Sequence, residues 1–146
     1  MKTKVLFITI ILSFSICLYS CEHMDGPCDY PMQWELVKNS DPESVKVKIS
    51  SNKDKSDEIT IDVAPKGGML QLDCISHETF RLMDIVNSDK NQEYSTEWFV
   101  CQKKNNSIYL NFINEEDAPE DRDFILNINS RETHTAITIQ RHINGL

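Results

Sequence analysis

Along most of this chain apolar and polar residues alternate one for one, the period of a strand with one buried face. Val45, Val47 and Ile49 alternate with Lys46 and Lys48, and Ile59, Ile61 and Val63 alternate with Thr60 and Asp62. Leu70, Leu72 and Cys74 make a third such face, Ile108, Leu110 and Phe112 a fourth, and Phe124, Leu126 and Ile128 a fifth. Ile137 and Ile139 mark the last, within Ala136–Gln140. Gln33–Val37 is a short strand candidate, and Thr96–Gln102 is strand-like but apolar on both faces. Thr79–Val86 is irregular and reads either as a strand or as a single helical turn. Polar stretches separate these segments at Ser50–Asp57, Pro65–Gly68, Asp89–Asn91, Lys103–Asn106, Glu115–Asp121 and Ser130–Glu132. The pattern predicts seven to eight short strands and no amphipathic helix longer than two turns, which is the signature of an all-β sandwich. Two stacked sheets would then enclose a core lined by the faces just named.

The first 21 residues break this pattern. Lys2 and Lys4 precede an apolar run from Val5 to about Leu18, which ends in Leu18-Tyr19-Ser20-Cys21. A basic start, a short apolar core and a small residue at the cut define a secretory signal. The run is shorter than the roughly 20 apolar residues of a spanning helix. Its Leu-x-Ser-Cys ending resembles a bacterial lipobox, which implies a lipid on Cys21; simple secretion and an uncleaved anchor are the alternatives. Cys21 favours lipidation, because a thiol followed at once by Glu22-His23 has no packing purpose. The chain thus divides into a signal (1–20), a lipidated Cys with a Pro- and Gly-containing tether (21–31), and a domain (32–146).

Charge and cysteine usage narrow the function classes. The chain has 15 basic and 23 acidic residues; without the two lysines of the signal the net charge is −10. That balance excludes nucleic acid and argues against binding to anionic membrane surfaces, both of which require clustered Lys and Arg. Cys28 falls in the tether, and Cys74 and Cys101 end two strands. Buried free thiols are the favoured state for that pair, with Cys74–Cys101 the pairing if a bridge forms. No CxxC occurs and no Cys/His spacing suits zinc.

The sequence offers little catalytic chemistry. His77-Glu78-Thr79-Phe80-Arg81 begins like a zincin helix but has Arg81 where the second His must stand. There is no Gly-x-Ser-x-Gly and no Gly-rich phosphate loop, and His23, His77, His134 and His142 are scattered. The acidic stretch from Glu115 to Asp123 lacks the Asp-x-Asp-x-Asp-Gly order of a calcium loop and is interrupted by Pro119, so it reads as a solvated turn. The expectation is a protein that is not an enzyme and needs no cofactor and no metal. Sugar recognition asks for aromatic faces beside polar groups. Trp34, between tether and first strand, and Tyr109, opposite the inward Ile108 and Leu110, are the candidate ligand contacts, whereas Trp98 is read as core.

From about 63 to 140 the order of features resembles the BACON domain of Bacteroidetes, a small immunoglobulin-like sandwich. The points of match are Pro65-x-Gly67-Gly68 leading into a strand, Trp98-Phe99-Val100, and Ile108-Tyr109-Leu110-Asn111-Phe112. A charged loop ending in Arg122 and the paired strands Phe124–Asn129 and Thr135–Gln140 complete it. The turn after Cys74 and the short, basic Lys103–Asn106 turn depart from the family pattern. The resemblance implies an immunoglobulin-like fold and carbohydrate binding but carries over no sugar-contacting residue. The expected protein is therefore an outer-membrane lipoprotein, facing the periplasm or the surface, whose domain binds a glycan or an envelope protein. A structural spacer or assembly subunit is the alternative.

Overall fold

The computed structural model describes residues 30–83, 91–115, 120–130 and 133–146. The signal, Cys21 and Cys28 lie outside the described residues, as do the end of the 79–86 stretch and residues 116–119 of the acidic loop.

Alternation becomes architecture directly. One sheet contains, in spatial order, β1 (Trp34–Asn39), β4 (Gly68–Cys74), β8 (Ser107–Phe112), β7 (Phe99–Lys104) and β6 (Asn91–Ser95), all antiparallel. The other contains β2 (Val45–Asn52), β3 (Lys55–Val63), β10 (Thr133–Arg141), β9 (Arg122–Ser130) and β5 (Arg81–Leu82), where only β3 and β10 run parallel. The result is an immunoglobulin-like β-sandwich. Ile59, Ile61, Val63, Leu126, Ile128, Ile137 and Ile139 meet Leu70, Leu72, Ile108, Leu110 and Phe112 across the interior, and all are buried. Phe99 sits in an aromatic layer, with ring centroids 4.9 Å from Trp98, 5.1 Å from Phe124 and 6.0 Å from Phe112.

The strand count differs from the expected seven to eight: ten strands occur among the described residues. β6, with the sequence Asn-Gln-Glu-Tyr-Ser, pairs with β7 at the sheet edge and turns Gln92 and Tyr94 inward, so its buried face carries no aliphatic alternation. β5 is two residues long, so within the ambiguous 79–86 stretch Arg81–Leu82 is strand. Ser50–Asp57 is not a loop but a hairpin whose strands run to Asn52 and restart at Lys55. Its polar residues hid it, since one face of these strand ends meets water. Lys103 and Lys104 likewise belong to β7, and the turn shrinks to Asn105-Asn106, with Asn105 at φ 55°.

The Pro65–Gly68 turn needs glycine for a specific reason. Gly67 has φ 71°, and a Cβ there would lie 2.4 Å from the Phe112 carbonyl oxygen. Backbone cannot yield to that approach, so only glycine lets the turn lie against the end of β8.

Candidate functional site

Because Ile108 and Leu110 point inward, Tyr109 must point outward, and it stands 37% exposed near the middle of the first sheet. Register extends this position into a row across all five strands: Lys38 opposite Gln71, Gln71 opposite Tyr109, Tyr109 opposite Gln102, and Gln102 opposite Glu93. The next row holds Met69, Asn111 and Val100. A groove of about 480 Å³ runs here, lined by Met69, Gln71, Gln102, Lys104, Tyr109 and Asn111 among others. Gln71 Nε2 donates to Asp73 Oδ1 at 2.9 Å, and Gln102 Nε2 donates to Glu93 Oε2 at 2.7 Å. The Lys104 ammonium lies 5.4 Å from the Tyr109 ring centroid. A ring flanked by amides, carboxylates and amines offers an apolar platform with donors and acceptors at its border.

Trp34 is not part of this face, which corrects its assignment as a ligand contact. It is 4% exposed and packs edge-on against Phe80, with centroids 5.1 Å apart. Trp34 N donates to Asp57 Oδ2 at 2.7 Å, which draws the chain inward at this point and turns the indole into the core. Trp98 is buried as expected, with the Arg141 guanidinium 5.8 Å from its ring. Cys74 and Cys101 are free and buried. Burial raises the Cys74 thiol pKa and pushes that of Cys101 up to about 12.

Charged residues on the inward side form a group that strand patterning alone left unassigned. Arg141 is buried, and its Nη2 donates to the carbonyls of Pro65 at 2.6 Å and Ile113 at 2.8 Å. Its Nη1 lies 3.1 Å from Glu115 Oε2, which Arg122 Nη1 approaches to 3.5 Å. Glu115, first residue of the acidic stretch, is therefore engaged by two arginines. At the other end of the sandwich Lys103 is buried, its ammonium 4.9 Å from the Phe80 ring. The available signal was the alternation itself: Arg141 follows Ile137 and Ile139 in phase, and Lys103 follows Phe99 and Cys101.

Among the described residues no group of three or more His, Cys, Asp or Glu side chains is placed to hold a metal ion. Fold and face together define a β-sandwich with a polar, aromatic-centred sheet surface. No protein-family model and no curated protein matches the chain. Among solved structures, it is similar to a protein from Bacteroides thetaiotaomicron determined by NMR, at 15% identity and a TM-score of 0.50. The match covers 80% of this chain and 90% of that one, and at this identity it speaks for the shared all-β fold.

Proposed function

We propose that this chain is a non-enzymatic binding module, held in the cell envelope by a lipid on Cys21, and that the sheet face around Tyr109 takes a glycan. The row Lys38–Gln71–Tyr109–Gln102–Glu93 carries the reading. A sugar presents C–H groups on its faces and hydroxyls on its edges, and this row supplies an aromatic platform bordered by groups that both donate and accept. The features that resemble the BACON domain point the same way. On a polysaccharide array the purified protein is expected to bind at least one glycan. Tyr109→Ala should weaken that binding about tenfold, the loss of roughly 1.4 kcal/mol of stacking, with the unfolding midpoint unchanged. Absence of binding to every polysaccharide would sink this assignment in favour of the spacer reading.

The anchor has its own test. At about 0.8 kcal/mol per buried methylene, two or more acyl chains hold a protein on a membrane where one gives only reversible binding. Cells expressing the chain and fed radioactive palmitate should label it, and Cys21→Ala should abolish the label; a labelled Cys21→Ala protein would overturn lipidation at this residue.

A further inference from the structure

Asp57 shares the inward face of β3 with Ile59, Ile61 and Val63, and it is only 2% exposed. The parallel register sets Ile59 beside Ile137, so Asp57 and Thr135, two residues earlier on each strand, are neighbours at the end of the sandwich away from Arg141. Thr135 is 3% exposed. One carboxylate oxygen of Asp57 accepts from Trp34 N, but Asp57 Oδ1 and Thr135 Oγ1 have no hydrogen-bond partner among the described residues. Both residues line a recess of about 470 Å³. Buried carboxylate and hydroxyl oxygens rarely stay unmatched; the carboxylate oxygen calls for a donor and the hydroxyl for a donor or an acceptor, and none is supplied among the described residues.

We propose that this recess is a second binding site, distinct from the Tyr109 face, for the primary ammonium group of a small ligand. The lining excludes the other charge class: Asp54, Asp57 and Glu58 face a single lysine, Lys55, so an anion would be repelled. An ammonium brings three N–H donors, enough for both orphan oxygens, and a positive charge opposite Asp57. A divalent metal suits the recess less well, because no three ligating side chains converge among the described residues. Seating the ammonium would draw the Asp57 carboxylate and the Thr135 hydroxyl onto one donor group. Pro31, Glu58 and His134 also line the recess and would meet the ligand's remainder.

The test is amide chemical-shift titration of the isotopically labelled protein with ethanolamine, glucosamine and Nα-acetyl-lysine amide, each paired with its N-acetylated form. Backbone amides of Ser56–Glu58 and Thr133–Ala136 should shift saturably with at least one amine, and its acetylated form should bind about tenfold more weakly or not at all. The tightest of the three identifies the kind of molecule that carries the group. Asp57→Asn should weaken the titration by a similar factor; Thr135→Val, which keeps the side-chain shape, serves if Asp57→Asn fails to fold. Tyr109→Ala should leave the titration intact, which separates this site from the glycan reading. Equal response to amine and acetylated amine, or no shift with any of the three, would overturn the proposal and leave a bound water as the partner of both oxygens.

Discussion

Arg141→Ala is expected to cost about 3–5 kcal/mol of folding stability, the range for breaking a buried ion pair by removing one partner. The guanidinium ties β10 to two segments distant from it in sequence, through the Pro65 carbonyl in one and the Ile113 carbonyl and Glu115 carboxylate in the other. Truncation removes the guanidinium donor from the Ile113 carbonyl, leaves the Pro65 carbonyl with the Glu115 amide alone, and strips Glu115 of its nearer cation, with Arg122 at 3.5 Å as the remaining one. Urea denaturation of the variant measures the loss. Adding Glu115→Gln to Arg141→Ala should restore part of it, because the carboxylate that has lost its nearer cation is neutralised. A loss below about 1 kcal/mol for Arg141→Ala would mean that the guanidinium is not a structural tie.

Phe99→Ala should destabilise by a comparable amount, about 3–5 kcal/mol, through the apolar area withdrawn and the cavity left behind. Phe99 is fully buried and touches aromatic rings from both sheets: Trp98 and Phe112 on its own side, Phe124 on the other. Collapse into the gap is limited, since the Phe112 and Phe124 rings are fixed by β8 and β9. Val100→Ala, one residue along and on the outward face, is the control and should change stability by no more than about 0.5 kcal/mol. The contrast isolates the core contribution of Phe99; equal losses for the two variants would contradict the inward and outward assignment of β7.

The legible part of the fold followed wherever one face of a strand is buried. Val45–Ile49, Ile59–Val63, Leu70–Cys74, Ile108–Phe112, Phe124–Ile128 and Ala136–Gln140 all lie in strands. β6 escaped because its inward residues are Gln92 and Tyr94 rather than aliphatic ones, and the β2–β3 hairpin tip because exposed strand ends are held by backbone pairing, which leaves no apolar signature. Trp34 was read as accessible from its place beside the tether. Its burial depends on Asp57, 23 residues away, and on Phe80, neither of which local sequence can connect to it. Tyr109, by contrast, was placed on an outer face by its two inward neighbours alone.

The same alternation also contained more than hydrophobic residues can show. Asp57, Lys103, Thr135 and Arg141 all fall in phase with buried apolar positions, yet polar side chains at strand ends ordinarily mark the exit to solvent. Their burial is a property of the stacked sheets, which carry the interior beyond the last apolar residue.

By itself, then, the amino-acid sequence determined the all-β class, the inward set of most strands and the outward aspect of Tyr109, because period-two patterning is a local consequence of the pleat. Tertiary structure decided the rest among the described residues: ten strands in two five-stranded sheets, a buried Trp34, free thiols at Cys74 and Cys101, a row of five polar and aromatic residues, and arginine at one end of the core with aspartate at the other. Those outcomes depend on which strands become neighbours. Pairing across long separations is set by the global fit of two faces, and no stretch of neighbouring residues encodes it.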